Sequence, residues 1–357
     1  MSQKALIAMS GGVDSSVAAC LMKENGYDCA GATMKLFHNE DVCVAREKSC
    51  CSLEDVEDAR SVAYALGMPY YVFNFTDRFR EDVIDRFVNA YETGATPNPC
   101  IDCNRYLKFE KMFQRARELH YDYIVTGHYA QIAYDEASGR YLLKKATDST
   151  KDQSYVLYSM TQEQLAHTLF PLGRMCKTEV RKIAENHGFV NAKKHDSQDI
   201  CFVQNGTYAD FIEQYTGKTY PPGDFVLKDG TVLGTHKGII HYTIGQRKGL
   251  GIAYEEPLYV TEINVSDNAV VLGRNCDLYS KTLTANHINL ISVSQIEKPT
   301  RVKAKVRYRQ PEQWATVTQT DNDTICVEFD EPQRAVTKGQ AVVLYIGDTV
   351  LGGGTIQ

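Results

Sequence analysis

Three short stretches carry the residue types that do chemistry. They are Ser10-Gly11-Gly12-Val13-Asp14-Ser15, Cys100-Ile101-Asp102-Cys103, and Asp196-Ser197-Gln198-Asp199-Ile200-Cys201. In the first, two glycines let the backbone approach a ligand with no Cβ in the way. Ser10 and Ser15 add hydroxyl donors. Exposed N–H groups and the positive end of a helix dipole at such a turn suit an anion, phosphate above all. Asp14 is the odd member, because a carboxylate beside phosphates makes sense mainly where it holds Mg²⁺. In the other two stretches, a thiol near donors and a nucleotide site can be activated as a thiolate nucleophile. A C-x-x-C pair is also half of a zinc site, or simply two inert thiols.

These residues need elements to position them. Ala5-Leu6-Ile7-Ala8-Met9 reads as a short buried strand and Ser15 to Lys23 as a helix, so the glycine turn joins a strand to a helix N-terminus. This is not a Walker loop. Gly217-Lys218-Thr219 imitates the tail of one, but position 212 is Ile, where the leading Gly belongs. The Ser-Gly-Gly-x-Asp-Ser string instead resembles the pyrophosphate loop of ATP pyrophosphatases, which split ATP between the α- and β-phosphates and place AMP on a substrate oxygen. Further strands are expected at 28–35, 70–74 and 123–126. Helices are expected from an N-cap at Ser52 through Leu66, along Phe79, Val83, Phe87 and Tyr91 to Gly94, and along Leu107, Met112, Phe113 and Ala116. Such alternation predicts an α/β fold, a doubly wound parallel sheet with ligands at the strand C-terminal ends, where the loop and Gly127-His128 sit. Pro97 and Pro99 predict an ordered, non-helical loop over Thr96–Asn104.

The chain has 357 residues, ordinary apolar content, and no apolar run approaching membrane-span length. It begins with neither a signal nor a transit pattern, so a cytoplasmic protein is expected. Eleven cysteines in such a chain favour thiol chemistry or metal binding over a disulfide framework. Cys43, Cys50 and Cys51 cluster in a polar loop and read as non-catalytic, and the other cysteines outside the two motifs read as core. Near Ser197 the texture changes. After a short helix at 207–215, turn signals separate short alternating strands to the C-terminus. The expected domains are 1–204 (catalytic), 205–277 (small, central, β-rich) and 278–357 (β-barrel).

Taken together, the motifs resemble those of tRNA-specific 2-thiouridylases over nearly the whole length. They are SGGVDS at 10–15, Met34, TPNPC-x-x-CN at 96–104, GHYA at 127–130, KDQSYVLY at 151–158, DSQDICF at 196–202, TIGQRKGLG at 243–251 and VRYRQ at 306–310. The resemblance implies an adenine-nucleotide α-hydrolase-like domain, a small central domain and a C-terminal β-barrel. It implies replacement of the 2-carbonyl oxygen of the wobble uridine by sulfur, with ATP, Mg²⁺, tRNA, and a persulfide carrier protein or sulfide as donor. It puts Ala8, Met9, Ser10, Gly11, Gly12, Val13, Asp14, Ser15, Met34 and Gly127 at the nucleotide. Asn98, Pro99 and Cys100 line the flipped base. His128, Lys151, Asp152, Gln153, Arg307, Tyr308 and Gln340 meet tRNA. Cys201 carries a persulfide, and Cys103 resolves it, leaving a disulfide with Cys201. Cys100 departs from the better-known branch, which has Asp there. That departure motivates a second possibility, an iron–sulfur cluster on Cys100, Cys103 and Cys201.

A net charge of −6 excludes a globally basic nucleic-acid binder, so local placement of charge must decide. Arg301, Lys303, Lys305, Arg307 and Arg309 alternate with Val302, Ala304, Val306, Tyr308 and Gln310. As one strand, this puts five cations on one face and Tyr308 with the apolar set. The stripe reads either as a phosphate-binding face or as a protected edge strand. Arg105, Lys108, Lys111 and Arg115 extend it or form a solvated helix face, and Gln246-Arg247-Lys248 reads as a basic loop or a plain turn. Rival readings are a 4-thiouridine or lysidine synthetase or an amide-forming ligase, none of which needs both Cys103 and Cys201. A zinc deaminase, imitated by His38-Asn39-Glu40 and Pro99-Cys100-x-x-Cys103, leaves the phosphate loop unexplained.

Overall fold

The computed structural model describes residues 2–37, 53–194, 200–203 and 206–357. Ser52, His38-Asn39-Glu40, Cys43, Cys50, Cys51 and Asp196-Ser197-Gln198-Asp199 lie outside the described residues.

β1 (Lys4–Ala8), β2 (Asp28–Lys35), β3 (Tyr70–Asn74) and β4 (Tyr123–Val125) are followed by a hairpin of β5 (Gln131–Asp135) and β6 (Arg140–Lys144), then by β7 (Thr168–Leu169). The first sheet has the order β3-β2-β1-β4-β7 and every pairing in it is parallel. Side chains alternate between its faces. Ala5 and Ile7 enter one buried cluster with Val17 and Val180, while Leu6 enters another with Phe79, Phe87 and Leu107. Both faces are therefore covered, as a parallel sheet requires, and the expected doubly wound α/β architecture is what forms.

The segment 96–104 departs from its reading. Pro99–Asp102 is a helical turn and Cys103–Lys111 continues it as a π-helix into the helix Met112–Glu118. Proline breaks a helix only in its interior. At the first helical position it has no N–H to lose, and Pro99 sits there behind Asn98, whose side chain accepts from the Cys100 N–H at 3.2 Å. Cys100 and Cys103 are thus one helical turn apart.

After the helix Tyr208–Thr216, with Thr207 as N-cap and left-handed Gly217 as C-cap, comes the central sheet. It is built from β8 (Gly223–Leu227), β9 (Val232–His236), β10 (Tyr259–Asn264) and β11 (Ala269–Gly273) in the order β10-β11-β8-β9. Its Phe225, Val260 and Leu272 join the same apolar cluster as Phe87 and Phe202. The rest is β12 (Tyr279–Leu290), β13 (Thr300–Lys305), β14 (Gln313–Gln319), β15 (Ile325–Arg334), β16 (Ala341–Ile346) and β17 (Thr349–Ile356). They pair antiparallel as β12-β15-β14-β13-β16-β17, and β12 returns to β17, closing a six-stranded barrel. The β5–β6 hairpin, absent from the sequence reading, reaches across so that Lys144 pairs with Thr349. It extends the barrel wall from the first domain. Among the described residues no helix is long and apolar enough to cross a membrane.

Candidate nucleotide and thiol site

The loop between β1 and the helix Val13–Glu24 opens onto a cleft of about 780 Å³. Gly12 is the helix N-cap and, having no side chain, leaves the first helical N–H groups without a cap from that position. Ser15 holds the turn by accepting from the Ser10 N–H and donating to the Gly12 carbonyl, at 3.2 and 2.9 Å. Gly11 has φ +75°, and a Cβ there would lie 2.5 Å from the Asp55 carbonyl. A Cβ on Gly127 would lie 2.7 Å from the backbone of Asp14 and Ser15. The turn after β4 therefore seats directly on the loop, and only glycine permits it.

Residues from the first domain and from the end of β13 and the turn after it line this cleft. From the loop come Ala8, Met9, Ser10, Gly12, Val13, Asp14 and Ser15, joined by Met34, Gly127 and His128. Pro99, Cys100, Cys103 and Cys201 line it with Lys151, Asp152 and Gln153, and the barrel adds Lys305, Tyr308 and Arg309. Cys100 is exposed, and Cys103 and Cys201 are half-buried. Cys20 and Cys29 are core thiols, each pushed up to about 11 chiefly by burial, and so are poor thiolates. Cys176 and Cys276 correct the reading of the other cysteines as core, since both are exposed.

Two lysines that motif reading passed over set the local charge. Lys177 Nζ lies 2.7 Å from each Asp14 oxygen, and the Tyr129 hydroxyl donates to Asp14 at 2.8 Å. Lys194 Nζ binds Asp55 at 2.6 Å and Asp58 at 2.7 Å. One ammonium, Lys194, is shared by Asp55 and Asp58, whereas Asp14 has both oxygens on Lys177 and a further bond from Tyr129, so as placed Asp14 does not fit a Mg²⁺ ligand. The Cys100, Cys103 and Cys201 thiols are soft donors on one cleft and fit an iron–sulfur cluster in donor type.

His128 is buried, and burial followed by the Lys108 charge holds its ring well below the usual histidine range. The neutral ring accepts at Nε2 from Lys108 (3.4 Å), which leaves the proton on Nδ1 to donate to Thr126 Oγ1 (2.7 Å). His128 therefore positions Lys108, which itself borders the cleft. Asn104 is buried with Nδ2 on the Val156 carbonyl, while its Oδ1 has no partner among the described residues. Asp102 is raised to about 6, by desolvation first, against the opposing charges of Arg105 and Arg86.

The cationic stripe does not survive as one face. β13 ends at Lys305, so the period-two pattern stops there. Arg301 pairs with Asp330 through two bonds of 2.7 Å. Lys305 and Arg309 turn into the cleft, and so does Tyr308, which is 36% exposed rather than packed with the apolar set. Arg307 donates inward to the Ile244 and Ala335 carbonyls and to Thr337. Gln340 donates to the Thr96 and Pro97 carbonyls at 2.7 and 3.2 Å, tying the barrel to the cysteine segment. Asp152 and Gln153, although on the cleft, also brace it. Asp152 accepts from Ala146 and Ser154, and Gln153 accepts from the Tyr129 N–H. Gln246-Arg247-Lys248 is a turn that Gln246 closes by bonding Thr243 and Lys248.

A parallel α/β layer with a glycine loop at its C-terminal edge, carrying a second β module and a closed barrel, defines a nucleotide-handling fold of the HUP type. Residues 3–205 match the family model described as tRNA methyl transferase HUP domain, 209–274 its PRC-barrel domain, and 280–356 the aminomethyltransferase beta-barrel domain. A tRNA-specific 2-thiouridylase MnmA of Clostridioides difficile is 52% identical over 357 residues, covering all of this chain and 99% of that protein. Its counterpart in Acetivibrio thermocellus is 52% identical, covering 99% of each chain. The chain belongs to the tRNA-specific 2-thiouridylase family.

Proposed function

We propose that this protein uses ATP to replace the 2-carbonyl oxygen of the tRNA wobble uridine with sulfur. The observation that carries the reading is the single cleft shared by the phosphate loop, Cys103 and Cys201. A uracil oxygen is a poor leaving group. It attacks the α-phosphorus of ATP, pyrophosphate departs, and the oxygen now carries AMP. Helix N–H groups at Gly12–Ser15 offset the charge that builds on the phosphates, and Lys177 compensates the Asp14 carboxylate beside them.

Sulfur then enters at C2. The terminal sulfur of a Cys201 persulfide attacks, and AMP leaves with the original oxygen. The Cys103 thiolate attacks the Cys201 sulfur, and the bond from Cys201 to the uridine sulfur breaks. The products are 2-thiouridine and a Cys103–Cys201 disulfide, which an external thiol reductant reopens. The terminal sulfur of the Cys201 persulfide comes from the persulfide of a carrier protein, whose own thiol is released in the exchange. Cys100 on the same cleft favours one second route. When bound to the three cysteines, an iron–sulfur cluster would supply an open iron site for sulfide. Asn98, Pro99 and Cys100 face the base, and Lys151, Lys305, Tyr308 and Arg309 meet the RNA.

Nucleoside analysis of tRNA after incubation with ATP and a sulfur source tests the reading. The expected product is 2-thiouridine with one pyrophosphate per sulfur. 4-Thiouridine or lysidine would overturn it.

A further inference from the structure

The helix Val13–Glu24 and the helix Lys177–Asn186 are joined at their N-terminal ends by Asp14 and Lys177. A second group of chemistry-bearing side chains joins their other ends. Cys20 Sγ lies 3.6 Å from Glu24 Oε1 and 3.4 Å from His187 Nε2, and that nitrogen lies 3.4 Å from the same Glu24 oxygen. None of the three takes part in the thiolation chemistry. Glu24 lies about 15 Å along the helix from Asp14, at 1.5 Å rise per residue.

We propose that Cys20, Glu24 and His187 form a binding site for a borderline-soft divalent cation, with Zn²⁺ as the best match. The three atoms make a closed triangle of one sulfur, one nitrogen and one oxygen. Ordinary zinc bond lengths in a tetrahedron predict edges of about 3.5 Å for S to N, about 3.5 Å for S to O and about 3.3 Å for N to O. Each observed edge agrees to about 0.1 Å on those bond lengths. Among the described residues, this is the one group of three such ligands whose donor atoms all lie mutually within 4.8 Å.

The local fold explains the convergence. Cys20 and Glu24 are four residues apart and share one helix face. His187 is the C-cap of its helix, and left-handed Gly188 turns the chain away behind it. The His187 ring stacks on Phe189, centroids 5.5 Å apart and planes at 25°, which fixes the direction of Nε2. Cys20 forms the buried floor, while the Glu24 and His187 side chains are 56% and 39% exposed. The fourth tetrahedral position faces solvent and takes water. A bound cation would staple the C-terminal ends of two helices whose N-terminal ends frame the phosphate loop.

The test is a Co²⁺ and Zn²⁺ titration of the full chain, reduced and stripped with a chelator. Co²⁺ should give a thiolate-to-cobalt charge-transfer band with tetrahedral d–d absorption, and Zn²⁺ should displace it and raise Tm. His187→Gln, which keeps every thiol, should lose one tight equivalent of metal, and Cys20→Ser should lose the same equivalent. Glu24→Gln should weaken binding at least about tenfold. Equal uptake by the wild type and His187→Gln would overturn the site, and so would a cobalt spectrum unchanged in Cys20→Ser. Circular dichroism and thiolation activity, expected to be unchanged in Glu24→Gln, separate loss of metal from loss of fold.

Discussion

The Lys177 ammonium sits 2.7 Å from both carboxylate oxygens of Asp14, across 163 residues of sequence. A loop that reads as a metal site from its local sequence is thus finished by a lysine from the far end of the domain. Lys177→Met should lower pyrophosphate release on the order of tenfold, because it leaves Asp14 as an uncompensated carboxylate beside the phosphates, which costs about 1 kcal/mol or more. The stability loss should be about 1–2 kcal/mol. That is less than a fully buried pair would lose, because the Asp14 side chain remains 30% exposed. Normal single-turnover pyrophosphate release in this variant would remove Lys177 from the phosphate chemistry.

Cys103→Ser and Cys201→Ser should each abolish thiolation and leave tRNA affinity unchanged in a filter-binding assay. Cys100→Asp separates the two sulfur routes. With a persulfide relay it should retain activity, whereas with a cluster it should lose iron and sulfide-driven turnover together. A fully active, iron-free preparation made without oxygen would leave only the relay.

Tyr308→Ala should lower the free energy of unfolding in urea by less than about 1 kcal/mol, as expected of a half-exposed ring. It should raise the KM for tRNA, because the ring borders the cleft beside Lys305. A large stability loss at constant KM would return Tyr308 to the core.

The pH dependence of stability has two opposed contributions. His128 is held well below the usual 6.5 in the folded chain, so only the unfolded chain takes up that proton. Its contribution is therefore present above about pH 6.5 and lost as pH falls. Asp102 runs the other way. Raised to about 6 from 3.8, it binds a proton in the folded chain first and adds stability as pH falls through about 6. Urea midpoints against pH should show a shallower acid loss in His128→Gln and a steeper one in Asp102→Asn. Parallel curves for all three proteins would contradict both assignments.

Trp314, the single tryptophan, is 52% exposed, with Arg301 and Lys303 each 5.3 Å from its ring. Its fluorescence should report tRNA docking on the barrel. Replacing Lys303, Lys305 or Arg309 with Ala should each lower the salt slope of binding by up to about 1 unit. Arg301→Ala should do less, since Asp330 already pairs with that guanidinium. Identical slopes across the set would take RNA off this face.

The sequence by itself determined the elements whose signals are local. The apolar run at β1, the Ser-Gly-Gly-x-Asp-Ser turn, the strand–helix alternation and the short alternating strands of the C-terminal half all report neighbours within a few residues. That was enough for the parallel sheet and the barrel, whereas the joint use of the loop with Cys103 and Cys201 was an expectation from the family resemblance of the motifs. Only tertiary structure decided the rest. Pro99 reads as a helix breaker until its place at the first helical position is known, and the 301–309 stripe reads as one strand until β13 ends at Lys305. The Lys177–Asp14 pair, the Lys144–Thr349 join and the Cys20–Glu24–His187 triangle connect segments with no shared local pattern. Periodicity encodes which face of an element is buried, but it carries no record of which distant element will lie against that face. That is settled only when the chain closes and each buried charge must find its partner.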